Sequence, residues 1–232
     1  MFKVLFVGNG QLLTKAQILR KRVFFGKQGQ DSDKFDKFCQ HLVVVEKKTG
    51  KVVGTYRVLS GQIAKKTVGF YSESEFDLSN IKKNCRGRLL EMGRACVDNA
   101  YRAHPVINLM WAKLLDYYKK NKIRYVFGCS SIADPSPRKV GALLKFFKKK
   151  YFAPREFRVR PLKEKRYPYS KDGAKLKETE ILKFIPSLVK GYLRMGAYIC
   201  SEPVWDKDFN TADFFMLLDI KKINNAYRKR FK

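Results

Sequence analysis

Two charged side chains interrupt an apolar segment, Arg88 to Val97, whose composition predicts a β-strand. They are Glu91 and Arg94, and a carboxylate held inside a strand can serve as a general base. The two histidines, His41 and His104, have neither partner ligands nor an adjacent nucleophile at useful spacing. We therefore expect no metal site and no histidine-based triad, and any chemistry must depend on carboxylates.

The cysteines and the net charge narrow the class of protein. Five cysteines occur without a Cys-x-x-Cys pair, which is typical of reduced thiols in the cytosol. The chain has 50 Lys and Arg against 21 Asp and Glu, a formal charge of +29, which implies an anionic partner: nucleic acid, an anionic membrane face or an acidic protein. At 45% apolar residues the chain can fill a core, which excludes a disordered basic tail.

Hydrophobic periodicity predicts alternating strands and helices in one domain over residues 1–232. The hairpin 41–46 and 51–59, separated by Lys47-Lys48-Thr49-Gly50, has the strongest pattern. The other predicted strands are 2–7, 88–97, 124–130, 197–200 and 214–218, and the predicted helices are 12–25, 101–118, 140–147, 186–195 and a basic one from Lys221. No stretch approaches the roughly 18 apolar residues of a membrane-spanning helix, and we expect a cytoplasmic protein.

A basic and aromatic segment forms an excursion from this domain at about 138–185. Between Arg138 and Lys171 there are 13 Lys or Arg against Glu156 and Glu164, a net of 13 − 2 = +11 in 34 residues. The charges are interleaved with Tyr151, Phe152, Phe157, Tyr167 and Tyr169. The pattern favours a surface that docks on an anionic membrane or partner, and the alternative is a solvated lysine-rich face.

Several motifs occur in the order found in a known family. The segment Glu91 to Asp98, with Arg20-x-x-x-Phe24 and Asp33-x-x-Asp36, resembles the signature of acyl-homoserine-lactone synthases. Eight further blocks resemble the L-ornithine N-acyltransferases, which use acyl carrier protein in bacterial ornithine-lipid synthesis and are also called hemolysin-like. These blocks are 19–24, 35–44, 53–57, 69–72, 76–78, 127–131, 190–194 and 208–215.

The resemblance implies a fold and an activity. The fold would be α/β (α+β) and GNAT-like, with a central, mixed, mostly antiparallel sheet flanked by helices. The activity would be transfer of a 3-hydroxyacyl group from an acyl-carrier-protein thioester to the α-amine of L-ornithine, with no bound cofactor. The GNAT pyrophosphate loop is absent after Val97, where Arg102-Ala103-His104-Pro105 stands, and this absence fits a carrier-protein donor better than coenzyme A.

The resemblance also implies roles for particular residues. Glu91 would be the general base; the alternative is that it neutralises Arg94 or Arg57 inside the sheet. Strict alternation places Arg94 on the opposite strand face from Glu91 unless a bulge intervenes, and we expect Arg94 to brace the acidic segment. The strand at Ala95, Cys96 and Val97 would hold the oxyanion and the pantetheine arm.

Substrate binding would fall to residues around the first helix. Arg20, Phe24, Asp33 and Asp36 would form a lid over the acceptor pocket, where a carboxylate binds the ornithine ammonium and a guanidinium clamps its carboxylate. The equal alternative is an ion-pair network without substrate contact. The full set of predicted substrate-binding residues is Arg20, Phe24, Asp33, Asp36, Arg57, Arg94 and Arg102.

Other functions stay open at this point. One alternative is an N-acyl amino-acid synthase or an acyl-homoserine-lactone synthase with another amine acceptor. A more remote alternative is a nucleic-acid-binding protein, which the charge would suit but for which no motif is present. The expected partners are acyl carrier protein, an amino acid such as ornithine, and the anionic cytoplasmic face of the inner membrane, and no nucleic acid is expected.

Overall fold

The computed structural model describes residues 1–133, 135–170, 176–223 and 227. The strands are β1 (Phe2–Val7), β2 (Gln40–Glu46), β3 (Val52–Ser60), β4 (Phe76–Asp77), β5 (Arg88–Val97), β6 (Ile123–Ala133), β7 (Arg160–Pro161), β8 (Tyr198–Ile199), β9 (Val204–Asp206) and β10 (Thr211–Asp219). The helices are α1 (Gln11–Phe25), α2 (Gly61–Lys66), α3 (Ser79–Asn84), α4 (Val106–Lys120), α5 (Pro137–Lys150), α6 (Glu178–Phe184) and α7 (Ser187–Met195).

The described residues divide into two compact units. Unit 1 takes Met1–Phe70 and Arg88–Arg124, and unit 2 takes Tyr71–Gly87 and the described residues from Tyr125 to Ile223. The described residues of the excursion predicted at 138–185 lie within unit 2.

Unit 1 is an antiparallel sheet with one long helix on each face. Its strand order is β1-β2-β3-β5. Ala16 and Leu19 of α1 pack with Val43, while a Cβ on Gly54 would lie 2.7 Å from Val106 Cγ1 of α4. Val44, the residue after Val43 in β2, also lies by Gly54. Successive strand residues point to opposite faces, so α1 on the Val43 side and α4 on the Val44 side cover opposite faces of the sheet.

Unit 2 is built on a long antiparallel pair, β6 with β10. The register runs from Thr211 opposite Ala133 to Asp219 opposite Tyr125, and β8 and β9 each pair with β10. All nine residues of β10 are buried. Its aromatic side chains pack on α5 and β6: the ring centroids of Phe214 and Phe147 of α5 are 5.2 Å apart, and those of Phe215 and Phe127 of β6 are 5.3 Å apart.

The structure confirms most predicted elements and extends several. The hairpin is β2 and β3, and the charged strand has the predicted bounds 88–97. The helix predicted from 101 begins only at Val106, because Pro105 follows a turn at 99–101. The short helices α2, α3 and α6 were not predicted, and the basic helix from Lys221 lies mainly outside the described residues.

None of the helices in the described part of the chain combines the length and apolar character that crossing a bilayer needs. The longest, α1 and α4, have 15 residues each, so each spans only about 22 Å at the helical rise per residue.

Candidate active site

Five of the predicted substrate-binding residues meet on the α1 face of the sheet in unit 1, where three arginines face three aspartates. Arg20 comes from α1, Arg57 from β3 and Arg94 from β5. Asp31, Asp33 and Asp36 come from the segment that follows α1. The structure thus brings together residues up to 74 positions apart, and the formal charges of the six side chains cancel.

Arg20 is the most completely enclosed member of this ion-pair network. Its Nε donates to Asp31 Oδ2 at 2.7 Å, and its two terminal nitrogens donate to the Asp36 carboxylate at 2.6 and 3.2 Å. The side chain is 0% exposed. In this geometry Arg20 fixes the segment after α1 against the helix.

Asp33 connects the two remaining arginines. Arg57 Nη1 donates to both Asp33 oxygens at 2.7 Å, and Arg94 Nη2 donates to Asp33 Oδ2 at 3.1 Å. The side chains of Asp33 and Arg94 keep 23% and 13% of their exposure, whereas Arg20 and Arg57 keep 0% and 6%. Asp33 and Arg94 are therefore the members best placed to meet a ligand.

A β-bulge turns Arg94 toward this network. The register pairs Arg57 with Gly93 and Thr55 with Cys96, so two residues of β5, Arg94 and Ala95, oppose one residue of β3. Arg94 has a φ of 49°, the left-handed region that a bulge can require. The bulge is the exception to strict alternation that the sequence analysis named, and it lets Arg94 reach the same aspartate as Arg57.

Glu91 lies on the face that carries Arg57. Its register partner is Leu59, two residues from Arg57, and its residue is only 6% exposed. Burial raises the pKa of the nearby Cys39 thiol to about 12, and the negative charge of Glu91 contributes to that rise. A buried carboxylate beside a bulge fits the position predicted for the base, and its catalytic role stays a prediction.

The electrostatics of the network follow from burial opposed by ion pairing. Burial alone would raise the pKa of Asp36, but the hydrogen bonds and charge of Arg20 outweigh it and hold that pKa well below its ordinary value. Burial lowers the pKa of His41, and the charges of Arg20 and Arg57 add to the effect. His41 is therefore neutral near pH 7 and takes part only through Nε2, which lies 3.1 Å from the Asp36 carbonyl oxygen.

Two predicted substrate-binding residues lie apart from the network. Phe24 packs against the apolar cluster of α1 and the sheet that includes Leu19 and Val43. Arg102 is exposed in the turn after β5. Their roles toward a substrate stay predictions.

Around the bulge, the residues predicted for the oxyanion and pantetheine region differ in exposure. Cys96 is buried, and burial raises its pKa to about 12, so its thiol is neutral and unsuited to nucleophilic attack. Ala95 and Val97 are partly exposed. In a bulge of this kind the extra residue is left out of the ladder, which makes its backbone N–H available to an acceptor.

Sequence reasoning missed Asp31, which accepts from Arg20 and also lies 3.4 Å from Arg94 Nε. Asp31 belongs to the polar run of aspartates after α1, which was visible in the sequence. Its partner Arg94 on β5 is 63 residues away, so no local pattern relates the two. Also missed was a cluster in unit 2 formed by Glu75, Cys129 and Asp213.

Similarity to known proteins agrees with this geometry. Residues 19–112 match the sequence model of the Acetyltransferase (GNAT) domain. The fold is similar to that of FeeM, an N-acyl amino acid synthase from uncultured soil microbes, with a TM-score of 0.57 at 9% identity over 95% of this chain and 92% of that chain. The family model and the fold together define an acyltransferase domain of the GNAT class.

Full-length relatives narrow this class. The chain is 34% identical to the L-ornithine N(alpha)-acyltransferase of Brucella abortus (strain 2308), over 91% of this chain and 82% of the relative. It is 32% identical to that of Rhizobium meliloti (strain 1021), over 91% of this chain and 78% of the relative. The chain belongs to the family of the L-ornithine N(alpha)-acyltransferases, as the motifs of the sequence indicated.

Proposed function

We propose that this chain transfers an acyl group from an acyl-carrier-protein thioester to the α-amine of L-ornithine. The observation that carries the proposal is the 34% identity with the Brucella abortus relative over 91% of the chain. In the reaction the amine nitrogen attacks the thioester carbonyl, a C–N bond forms, the C–S bond breaks, and the thiol leaves with a proton.

Described residues of unit 1 would supply the base and the oxyanion donor of this reaction. The α-ammonium of an amino acid has a reference pKa near 8 and must lose a proton, which Glu91 would accept directly or through a water. The backbone at Ala95, left out of the ladder by the bulge, would donate to the developing oxyanion.

Acceptor recognition would use the exposed end of the ion-pair network. Asp33 can accept from the side-chain ammonium of ornithine, and Arg94 can donate to its α-carboxylate. Arg20 and Asp36, which bind each other at 2.6 Å in a buried pair, would position Asp33 without touching the substrate.

An acceptor and donor panel tests the proposed function. The chain is incubated with acyl-carrier-protein or coenzyme A thioesters and, in turn, ornithine, lysine, glycine, tyrosine or S-adenosylmethionine. We expect mass spectrometry to find Nα-acylornithine as the main product with the carrier-protein donor. Preferred acylation of glycine or tyrosine, or formation of a homoserine lactone, would assign the chain to a sister activity.

The role of Glu91 has its own test. Glu91→Gln keeps the shape of the side chain and removes the base, so we expect turnover to fall by at least about 10²-fold. The exposed Glu156→Gln serves as the matched control with unchanged turnover. Near-normal turnover of Glu91→Gln would leave the residue with only the charge-neutralising role.

The basic segment at 138–170 offers a surface on which the carrier protein or the membrane would bind. In the described part of 138–170 most Lys and Arg are exposed, including Lys145, Arg155 and Arg160. Two of the interleaved aromatic residues are engaged within the fold: Tyr167 is buried, and the Phe152 ring centroid lies 4.8 Å from the Arg158 guanidinium carbon. Docking on acidic carrier protein or anionic lipid would therefore depend mainly on the exposed charges.

We propose peripheral attachment to an anionic membrane on this basis. Each Lys or Arg near an anionic bilayer contributes roughly 1 kcal/mol, and this attraction weakens with salt. We expect the chain to sediment with anionic liposomes at low salt and not with neutral liposomes. Salt on the order of 0.5 M should release it, because that concentration screens the attraction. A chain that stays in the supernatant with anionic liposomes at low salt would refute membrane attachment and leave carrier docking as the task of the charge.

A further inference from the structure

Unit 2 holds a cluster of two carboxylates and a thiol that the proposed reaction does not use. Glu75 follows the turn Tyr71–Ser74, Cys129 lies in β6 and Asp213 in β10. Their candidate ligand atoms all lie within 4.8 Å of one another. Phe215 is the register partner of Cys129, and Asp213 lies two residues from Phe215 along β10. Asp213 is therefore the diagonal neighbour of Cys129 on the same face of the sheet.

Glu75 brings an unsatisfied oxygen into this cluster. The residue is 3% exposed, and its Oε2 has no hydrogen-bond partner among the described residues. Buried polar atoms in native proteins are nearly always paired, so an unpartnered carboxylate oxygen on a member of this buried cluster calls for an occupant. A second buried carboxylate, Asp213 at 2% exposure, makes that occupant a cation.

Hydroxyl groups hold the other two members in fixed orientations. Thr211 Oγ1 donates to Asp213 Oδ1 at 2.6 Å, and Ser131 Oγ donates to Asp213 Oδ2 at 2.9 Å. The Cys129 thiol donates to Ser72 Oγ at 3.4 Å. Each carboxylate oxygen has two acceptor positions, so a single hydroxyl donor does not exhaust its capacity. Hydrogen bonds of this kind orient the ligands of metal sites.

The donor set discriminates between cations. One sulfur and two carboxylate oxygens suit Zn²⁺, whereas Mg²⁺ and Ca²⁺ prefer oxygen ligands alone. Three protein ligands leave a fourth position for water. Cys129 is partly exposed, which gives the ion a route into an otherwise buried cluster.

We propose that Glu75, Cys129 and Asp213 bind one Zn²⁺ ion per chain through the Cys129 thiolate and one oxygen of each carboxylate. Binding displaces the thiol proton, and any proton held by the carboxyl pair, to solvent. The site does not depend on the proposed acyl transfer, and its test reads metal binding directly.

The test uses the whole purified chain after treatment with a chelator. Zn²⁺ is titrated in competition with a chromogenic chelator, and Co²⁺ is added separately as a spectroscopic substitute. We expect one equivalent of zinc per chain and a near-ultraviolet thiolate-to-Co²⁺ charge-transfer band. Cys129→Ser should abolish the band, and Ser131→Ala should weaken zinc binding by about 10- to 100-fold.

Controls separate this site from other thiols. Cys85→Ser removes another buried cysteine of unit 2 and should keep both the stoichiometry and the band. The wild-type measurement needs no variant to fold: failure to bind zinc at micromolar free Zn²⁺ would overturn the proposal and leave the carboxyl pair to share a proton. Persistence of the Co²⁺ band in Cys129→Ser would overturn it as well.

Discussion

Removing the charge of Asp36 tests how far the buried network stabilises unit 1. Asp36 accepts two hydrogen bonds from Arg20 at 2.6 and 3.2 Å, one from Arg57 at 3.3 Å and one from the Asp33 backbone N–H at 2.9 Å. Asp36→Asn keeps one of its two oxygens as an acceptor and turns an NH₂ group toward a guanidinium. Breaking a buried ion pair by removing one partner costs about 3–5 kcal/mol, and the retained oxygen places the expected loss near the lower value, about 3 kcal/mol.

Urea unfolding measures this loss in one unit at a time. The chain has two tryptophans, Trp111 in unit 1 and Trp205 in unit 2, and Trp205 is 37% exposed. In a Trp205→Phe background, fluorescence of Trp111 reports on unit 1 alone. With a slope of about 2 kcal/mol per M, a loss of about 3 kcal/mol lowers the urea midpoint by about 1.5 M.

A matched control and a double variant make the result decisive. Asp116→Asn changes an exposed aspartate of α4 and should shift the free energy of unfolding by less than about 0.5 kcal/mol. Arg20→Met combined with Asp36→Leu removes both charges, so it should cost less than the sum of the single changes. A loss in Asp36→Asn as small as that of Asp116→Asn would refute the stabilising role of the network.

Three further outcomes follow from the same unit. The pKa of Asp36 is lower in the folded chain than in the unfolded chain, where an aspartate has a pKa near 4. The stability difference between wild type and Asp36→Asn should therefore be complete above about pH 5 and shrink as the pH falls toward the folded pKa. Urea titrations in which this difference grows on acidification would contradict the prediction. Gly54→Ala should cost about 1–3 kcal/mol in thermal unfolding, since its Cβ would lie 2.7 Å from Val106, whereas Gly93→Ala, with no atom within 4 Å, should cost less; equal losses would disprove the crowding. The buried Cys96 thiol, with its pKa raised to about 12, should resist iodoacetamide at pH 8 until urea unfolds the chain, and rapid labelling of the native chain, seen by peptide mass spectrometry, would count against its burial.

Local patterns in the sequence were enough to predict most of the elements. The hairpin of β2 and β3 follows from two β-branched runs with a Lys-Lys-Thr-Gly turn between them, and β5 follows from an apolar segment that only Glu91 and Arg94 interrupt. The short helix α2 was missed because six residues carry too little periodicity, although Ser60 caps its first turn by accepting from the Ile63 N–H.

Motif order and hydrophobic period can be read locally along the chain, and they were enough to indicate the family, most of the elements and most residues of the ion-pair network. The sequence left open whether a bulge turns Arg94 and whether the acidic segment binds substrate or only forms ion pairs, because both depend on strand pairing. Tertiary structure decided that a bulge turns Arg94 onto the face of Arg57 and that Asp31 completes the network. Long-range pairing of β6 with β10 likewise brings Cys129 and Asp213 together beside Glu75, although no spacing in the sequence relates these side chains.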